Sequence, residues 1–330
     1  MTPHPQIRDL VLIGGGHSHA LLLRMWAMTP LPGTRVTVIN PDPVAPYTGM
    51  LPGLIAGHYR RDELMIDLVR LARFAGARLI LDRATGIDRE ARLVHLTGRP
   101  PLPYDLASID VGITSDLPDL PGASLHAVAA KPLGRYAEAW ESFLARRPDR
   151  PRLMILGAGL GGVELALASA HRLRSAGVEP QVTLLDQAAA LLPALAPRAR
   201  RRVKAALTAA GIQVRLETAV AAIGPTGLTL ADGQTLDSDF TLTATGARPQ
   251  PWLAGTGLAL RDGFLRTDTS LRTSDPLIFA VGDCASIDGV PRPKAGVFAV
   301  RAAPVLFANL RAALTGKPPQ SFSPQRDYLK

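Results

Sequence analysis

The chain has 330 residues, of which 47% are hydrophobic and 5% aromatic, and its formal net charge is +9. This length predicts two domains with substantial cores. No apolar run approaches the roughly 20 uncharged residues of a membrane span, and residues 1–10 lack the charged start and apolar stretch of a signal peptide. We therefore expect a cytoplasmic protein. The arginines are dispersed among acidic residues without a zinc-finger spacing or an RNA-binding motif, so nucleic acid is not an expected partner.

The first predicted elements are an apolar strand from Leu10, a glycine turn over Gly14–Gly16 and a helix over 20–28. Glycine lets the backbone turn sharply and approach a pyrophosphate closely, and the following helix directs about half a positive charge at that anion. The pattern is equally compatible with an ordinary tight turn between a strand and a helix, because His19 replaces its third glycine.

The next strand is predicted over 35–40 and ends at Asn40, where a dinucleotide fold usually has an acidic residue for a ribose hydroxyl. Asparagine binds a hydroxyl more weakly than a carboxylate does. The proline- and glycine-rich loop 45–53 is apolar, so it is either buried under another element or lines a cofactor. Helical periodicity over 63–75 and strands over 78–82, 91–96 and 106–111 complete this half, which closes at Gly112.

A helix over 135–145 connects this half to a second glycine pattern, in which Gly157, Gly159 and Gly162 supply all three fingerprint positions. Further elements are then predicted in chain order: helix 163–175, strand 181–186, helix 197–210, strand 212–217, a hairpin turning at 232–233, and strand 240–246. The chain therefore repeats a βαβ nucleotide domain with an inserted hairpin. Asp186 ends a strand with no arginine after it, which favours NADH over NADPH.

The last part of the chain contains a strand that ends in Gly282 and Asp283, followed by an apolar helix through Ala313. An aspartate in this place could also cap the helix. Cys284 is the single cysteine, which excludes an intramolecular disulfide mechanism. We interpret it as a small buried packing residue. The basic run 198–204 indicates a solvated helix face, with binding of an acidic partner as the alternative.

The order of four motifs, Gly14–His19, Gly157–Gly162, Thr243–Gly246 and Phe279–Asp283, resembles the FAD-dependent pyridine nucleotide-disulfide oxidoreductase superfamily. That superfamily includes type II NADH dehydrogenases, sulfide:quinone oxidoreductases and disulfide reductases. The resemblance covers essentially the whole chain. It implies an α/β fold with two Rossmann-like dinucleotide-binding domains of the three-layer ββα type. The FAD domain would be discontinuous, formed by 1–115 and 250–330, with the NAD(P)H domain at 116–249.

More narrowly, Gly14–His19, Pro46–Gly57 and Pro293–Arg301 resemble the flavoprotein module fused ahead of selenophosphate synthetase (selenide, water dikinase) in some bacteria. This resemblance implies a selenophosphate synthetase domain as a partner and a link to selenium metabolism. The chain would then be a piece of a longer fusion. The sequence does not identify the electron acceptor or the oligomeric state.

The resemblance also implies the positions of both cofactors. The FAD pyrophosphate would lie on Gly14, Gly16 and Ser18, with His17 and His19 packed beside it, the adenosine near Asn40 and Ala84, and the ribityl chain on Asp283. The isoalloxazine ring would lie between two segments: Tyr47, Thr48, Gly49, Met50 and Leu51, and Lys294, Ala295, Gly296 and Val297. Gly112 and Gly282 complete the predicted FAD site, and NADH would bind at Gly157, Gly159, Gly162, Asp186 and Gly246.

Two residues are catalytic candidates. Glu164 matches the glutamate that type II NADH dehydrogenases place close to the nicotinamide, and the alternative is a carboxylate that stabilises a helix start. Lys294 could stabilise the anionic reduced flavin, or it could be an ordinary surface lysine. His17 and His19 have no third ligand nearby in sequence, so we expect no metal site.

Three functions follow as hypotheses. The first is an enzyme that passes hydride from NADH to FAD and then electrons to an unidentified acceptor. The second is a quinone reductase at the membrane surface. Type II NADH dehydrogenases, however, have two quinone-lining glutamines where this chain has Val297 and Arg301, and an amphipathic anchor that is not seen after Gly316. The third is a flavin-bound docking or regulatory module with little turnover.

Overall fold

The computed structural model describes residues 7–114, 117, 119–146 and 149–325. Contacts between Cα atoms divide the chain into two compact units. The first unit comprises Met1–Tyr47, Met65–Ile113 and Pro249–Lys330, and the second comprises Thr48–Leu64 and Thr114–Arg248.

The strands, in chain order, are β1 Arg8–Ile13, β2 Thr34–Asn40, β3 Val44–Pro46, β4 Met65–Asp67, β5 Arg78–Leu81, β6 Ala84–Asp88, β7 Leu93–Leu96, β8 Leu102–Pro103, β9 Leu106–Ile109, β10 Ala127–Ala129, β11 Arg152–Leu156, β12 Gln181–Leu185, β13 Gln213–Arg215, β14 Val220–Gly224, β15 Gly227–Leu230, β16 Thr235–Asp237, β17 Phe240–Thr243, β18 Leu260–Arg261, β19 Phe264–Thr267, β20 Ile278–Ala280 and β21 Ala285–Ile287. The α-helices are α1 His17–Met28, α2 Leu51–Ala56, α3 Leu68–Phe74, α4 Ala123–His126, α5 Leu133–Ala145, α6 Leu160–Ser175, α7 Pro197–Ala209 and α8 Gly296–Thr315. Short 3-10 turns cover Thr48–Met50, Arg61–Leu64, Pro251–Thr256 and Gly282–Cys284.

The first unit is built on a parallel sheet with strand order β20-β9-β1-β2-β5. Successive residues of a strand point to opposite faces, and β1 is buried on both. Leu10 and Leu12 pack in a cluster with residues of α1 and α8. Val11 and Ile13 pack in a second cluster with residues of the antiparallel β6-β7-β8 sheet. The unit therefore has a helical layer, a parallel sheet and an antiparallel sheet.

The second unit repeats this plan with a parallel sheet in the order β10-β17-β11-β12-β13. Met154 and Leu156 of β11 pack against residues of the antiparallel β14-β15-β16 sheet. The rings of Trp140 and Phe143 on α5 surround Phe240 of β17, with centroid separations of 5.6 and 5.0 Å. The predicted α/β fold with two Rossmann-like domains and inserted hairpins is confirmed.

The segment Thr48–Leu64 differs from the sequence-based division, which assigned it to the first domain. It groups with the second unit because α2 packs along α6. The indole Nε1 of Trp140 also donates a hydrogen bond of 3.3 Å to the Ile55 carbonyl, and Arg61 pairs with Glu138 on α5 at 2.9 Å. The predicted flavin-binding residues Thr48, Gly49, Met50 and Leu51 therefore belong to the second unit, and Tyr47 belongs to the first.

The predicted helix over 63–75 is wrong for residues 63–67. That stretch forms a 3-10 turn and β4, which pairs antiparallel with β3, and α3 begins only at Leu68. The helix begins there because the Asp67 carboxylate accepts a hydrogen bond of 2.8 Å from the Arg70 N–H, which caps the helix. Strand β6 (Ala84–Asp88) was not predicted.

Helix α8 is long and apolar enough to cross a membrane by length and composition, with a mean hydropathy of 1.5 over its most apolar stretch. Half of that stretch is buried in the protein. Leu306 and Leu310 are fully buried in the cluster that also contains Leu22 and Trp26 of α1. This packing is that of a core helix, and it does not indicate a membrane span.

Candidate dinucleotide-binding sites

The carboxyl ends of four neighbouring strands carry six of the residues predicted to bind the first dinucleotide. Gly14–Gly16 follow β1, Asn40 ends β2, Gly112 follows β9, and Gly282–Asp283 follow β20. In open parallel sheets ligands bind at this edge, where helix N-termini and strand-end loops converge. The structure therefore brings these residues of the first unit together.

The loop after β1 depends on glycine for its shape. Gly14 has a φ of +94°, and a Cβ atom there would collide with the Asp110 carbonyl oxygen. A Cβ on Gly15 would lie 2.5 Å from Cδ1 of Leu68. The Asn40 amide oxygen accepts a hydrogen bond of 2.9 Å from the Gly15 N–H, so the end of β2 holds the loop in place.

Ser18 and His19 make hydrogen bonds to the protein itself. The Ser18 hydroxyl donates to the Ala299 carbonyl at 2.7 Å. The His19 ring is fully buried, with Nδ1 2.7 Å from the Gly14 carbonyl oxygen and Nε2 2.8 Å from the Ser108 hydroxyl. Burial lowers the pKa of His19 to about 4, so the ring is neutral at pH 7. Its hydrogen bond to the Gly14 carbonyl holds the glycine loop in place.

Asp110 is a residue that the sequence analysis missed. It follows β9, is 3% exposed, and accepts hydrogen bonds from the Ser18 and His19 N–H groups at 2.9 and 3.1 Å. Burial raises the pKa of this carboxyl to about 7, with a further contribution from nearby Asp283. An aspartate inside the apolar run Leu106–Val111 was the signal available in the sequence.

Three predicted flavin-binding residues of the first unit lie together at the start of α1. The His17 and Tyr47 rings have centroids 4.7 Å apart, and a Cβ on Gly296 would lie 3.0 Å from His17 Nδ1.

Ala84 lies two residues beyond Asp82, whose N–H donates to the Asn40 carbonyl at 3.1 Å. Gly112 has a φ of +67° with open space where a Cβ would point, which leaves its backbone approachable.

The loop between β20 and α8 contains the remaining predicted groups of this site. Gly282 has a φ of +73°, and Asp283 is half-buried in the 3-10 turn that follows β20. The Lys294 ammonium donates to the Ala285 carbonyl at 2.7 Å and lies 3.7 Å from the centre of the Phe264 ring. Burial lowers the pKa of Lys294 to about 8, so Lys294 is not an ordinary surface lysine.

A cavity of about 620 Å³ lies at the corresponding edge of the second unit. It is lined by four of the residues predicted to bind NADH, namely Gly157, Gly159, Asp186 and Gly246, together with side chains such as Gln187 and Arg248. Its volume lies in the range typical of small-molecule and cofactor sites.

The three fingerprint glycines have separate physical roles in this second site. Gly157 has a φ of +102°, and a Cβ there would lie 2.8 Å from the Ala244 carbonyl oxygen. A Cβ on Gly162 would collide with the Gly157 carbonyl oxygen, so this position lets α6 pack against the loop. Gly159 has nothing within 4 Å of its Cβ position. That open space at the start of α6 suits a ligand that approaches the backbone.

Asp186 contacts this glycine loop, and Glu164 lies on the helix that follows it. The Asp186 carboxylate accepts from the Ala158 N–H at 2.6 Å and from the Ala188 N–H at 2.8 Å. It therefore holds the loop as Asn40 does in the first unit. Glu164 is in the second turn of α6 and remains partly exposed, and desolvation raises the pKa of its carboxyl. Within the described residues, no group of three His, Cys, Asp or Glu side chains is arranged to hold a metal ion.

Comparison with known proteins decides the family. The sequence model of the pyridine nucleotide-disulphide oxidoreductases matches residues 8–303. The chain belongs to the pyridine nucleotide-disulphide oxidoreductase family. FAD and NADH are the typical cofactors of this family, which consists of oxidoreductases. The superfamily predicted from the sequence is confirmed.

Several members of the family resemble the chain. A nitric oxide reductase FlRd-NAD(+) reductase of Aeromonas hydrophila is 38% identical over 211 residues, which cover 62% of this chain and 51% of the relative. The chain thus spans about half the length of this relative in the match. A protein of the same name from Salmonella agona is 29% identical over 299 residues, covering 87% of this chain and 74% of the relative.

A solved ferredoxin reductase from Rhodopseudomonas palustris has a TM-score of 0.80 and 24% identity over 96% of this chain and 78% of its own. This likeness shows the shared fold. The pyridine nucleotide-disulphide oxidoreductase fold places both glycine loops at the carboxyl ends of parallel strands, as observed here.

The residues present fit the two cofactors unequally. In the second unit the glycine loop opens on a cavity, and the described residues provide no acceptor for the Leu160, Gly161 and Gly162 N–H groups at the start of α6. In the first unit the same edge holds Gly112, which has open space around its Cβ position, and the paired rings of His17 and Tyr47. Part of the helix N-terminus is already occupied by Asp110. The fit of FAD therefore involves that carboxyl.

Proposed function

We propose that the chain is an FAD-dependent NADH oxidoreductase that passes the electrons on to a separate acceptor. The observation that carries this proposal is the repeated strand–glycine–helix edge, one copy in each unit, with the cavity of about 620 Å³ at the second copy. When bound, FAD would supply the chemistry, because it accepts a hydride from a nicotinamide and releases electrons to acceptors.

The chain's own residues bind and orient the two cofactors in this proposal. The loop Gly157–Gly162 and the open N–H groups of α6 hold the NADH pyrophosphate, and Asp186 binds the ribose hydroxyls. The carboxylate at Asp186 disfavours a 2′-phosphate by like-charge repulsion, which selects NADH over NADPH. Asp283 orients the flavin ribityl chain, and the Lys294 ammonium adds positive charge near the flavin.

For the acceptor we propose a redox protein of the FlRd type. The support is the Aeromonas hydrophila relative, which is 38% identical to this chain over the matched residues and is named as a reductase of FlRd that uses NAD(+). The family is named for a disulphide, but Cys284 is the single cysteine and is fully buried. Electrons therefore leave the flavin without a dithiol relay.

The test is to mix the purified, flavin-loaded chain with NADH or NADPH under anaerobic conditions. The absorbance of the flavin measures the rate of its reduction. We expect NADH to bleach the flavin at least tenfold faster than NADPH at equal concentration. The variant Asp186→Ala should lower the preference for NADH, whereas Asp232→Ala, at an exposed hairpin turn of the same unit, should not. A flavin that NADH leaves oxidised would favour the docking or regulatory module instead.

A second mixing step separates the acceptors. The reduced chain is offered a rubredoxin-type protein, a quinone in lipid vesicles, or selenite, each under the same anaerobic conditions. Fast reoxidation by the redox protein supports the proposal. Reoxidation that requires quinone and vesicles would support the membrane-surface quinone reductase, and reoxidation by selenite would support the link to selenium metabolism and a selenophosphate synthetase partner that the resemblance implies.

A further inference from the structure

The two helix N-termini at the proposed cofactor sites are not equivalent. At α6 the described residues leave the first N–H groups without an acceptor. At α1 the carboxyl of Asp110 takes the N–H groups of Ser18 and His19. A helix N-terminus stabilises one negative charge well. A buried carboxylate and a pyrophosphate at the same terminus would therefore compete for the same partial positive charge.

The hydrogen bonds of Asp110 are those of a carboxyl that can carry a proton. Both N–H groups, at 2.9 and 3.1 Å, converge on Oδ2, and no described residue donates to Oδ1. A protonated carboxyl has one oxygen that accepts and one that bears the proton. Oδ1 faces Gly282, where a Cβ would lie 2.5 Å from it, and a Cβ on Gly16 would also collide with the carboxyl. Oδ1 thus lies between the glycine loop and the Asp283 turn.

The Ser18 and His19 N–H groups favour the negative charge of Asp110, whereas burial, the larger effect, and the nearby Asp283 disfavour it. From α1, His19 is neutral because burial lowers its pKa to about 4, and His17 lies at the start of the same helix. From the turn after β20, Asp283 is a like charge that raises the pKa of Asp110, and burial raises the pKa of Cys284 to about 12. Lys294 and Arg292 interact with Asp283 and Cys284. No described cation pairs with Asp110.

We propose that Asp110 is a positioning residue that binds FAD in its protonated form, so that cofactor binding takes up a proton from solvent. This inference rests on the proposed function, because it requires FAD at the first glycine loop. One proton adds to Oδ1, the carboxyl becomes neutral, and the negative charge at the start of α1 is then that of the pyrophosphate. The cofactor should therefore be held less tightly as the pH rises, and alkaline conditions should release it.

The experiment measures proton uptake directly. Apoprotein is titrated with FAD in a calorimeter at about pH 8 in two buffers that differ in ionisation enthalpy. A native pKa of about 7 predicts uptake that approaches one proton per FAD at this pH and that declines below pH 7. By linkage, the dissociation constant for FAD should rise about tenfold per pH unit above that pKa.

The variants Asp110→Asn and Glu90→Gln make the test specific. The asparagine side chain would be neutral at every pH, so we expect FAD binding without proton uptake and with an affinity that does not change between pH 7 and about 9. Glu90 is an exposed acid of the same unit, and its variant should behave like the wild type. If the asparagine variant does not fold, the wild-type titration alone decides.

Two results would overturn the inference: wild-type protein that binds FAD at about pH 8 with no proton uptake, or an asparagine variant that retains the full uptake. A chain that binds no FAD at any pH would instead overturn the proposed function. The two failures are therefore distinguishable, because the first is observed with the cofactor bound and the second without it.

Discussion

At the scale of one residue, burial lowers the pKa of the Lys294 ammonium and so changes the pH range in which it is charged. Its ammonium is held between the Ala285 carbonyl and the Phe264 ring, and desolvation lowers its pKa to about 8 even though Cys284 and Asp283 favour the cation. The side chain is therefore charged at pH 7 and largely neutral at about pH 9.

If the ammonium assists hydride arrival at the flavin, we expect Lys294→Met to slow flavin reduction by NADH about tenfold at pH 7. In the wild type the same rate should fall as the pH rises through about 8, and the methionine variant should show no such step. Stopped-flow absorbance at a series of pH values measures both. Lys294→Arg, which keeps the charge, is the matched control, and a loss of rate in the arginine variant as large as in the methionine variant would contradict an electrostatic role.

The stability of the protein provides an independent readout of the same group. The native pKa of Lys294 lies below that of the unfolded chain, so the native state binds fewer protons between about pH 8 and pH 10. This lysine therefore makes the free energy of unfolding rise with pH over that window. Urea denaturation should show the rise in the wild type and a smaller one in Lys294→Met.

The sequence predicted Lys294 and Asp283 but not Asp110, and the reason is physical. The first two lie in the motifs Phe279–Asp283 and Pro293–Arg301, whose resemblance to known flavoproteins implied their roles. Asp110 follows a buried strand directly, and only its partners Ser18 and His19, some ninety positions earlier in the chain, show what it does. Contacts between residues so far apart in sequence cannot be deduced from periodicity.

The glycine loop before α6 is the element on which the proposed binding of NADH in the second unit depends. Gly159 has a φ of −64° and open space around its Cβ position, whereas a Cβ on Gly162 would collide with the Gly157 carbonyl oxygen. A substitution at Gly159 should therefore affect ligand binding, whereas one at Gly162 should affect the packing of α6.

We expect Gly159→Ala to raise the KM for NADH at least tenfold while the melting temperature changes little, because the methyl group points into space that the pyrophosphate would use. Gly162→Ala should lower the melting temperature by several degrees, since α6 must shift. Steady-state kinetics and thermal unfolding of the pair measure the two effects. Equal loss of stability in both variants would contradict the assignment.

Element boundaries were predicted best where glycine or a strand end determines them. The strands before the two glycine loops and both parallel sheets followed from buried apolar runs and their spacing. The stretch 63–75 was misjudged because its helical periodicity hides the Asp67 cap and the pairing of β3 with β4. The assignment of Thr48–Leu64 to the second unit depends on contacts with α5 and α6 that no local pattern contains.

At the scale of the whole molecule, the formal net charge of +9 favours association with acidic partners. Helix α7 concentrates this charge, with Arg198, Arg201, Arg202 and Lys204 all exposed and no described carboxylate paired with them. Arg198 lies in the first turn of α7 and opposes the helix dipole, so its position lowers the stability of the helix.

If the acceptor is an acidic redox protein, its reduction should slow several-fold as salt is raised, because screening weakens long-range attraction. Reduction of a neutral quinone should not change in this way. The double variant Arg201→Glu and Arg202→Glu tests whether α7 contributes, and Lys317→Glu, another exposed cation, is the control. An identical salt response for both acceptors would show that net charge does not guide the encounter.

The thiol of Cys284, the single cysteine, can report local unfolding of the first unit. Cys284 is fully buried beside Asp110, its sulfhydryl directed to the Val281 carbonyl at 3.2 Å, so a maleimide can reach it only when β20 and its turn separate from the sheet. Alkylation followed by mass spectrometry would then report the frequency of that opening. A flavin seated at the neighbouring loop should slow the labelling in proportion to its occupancy.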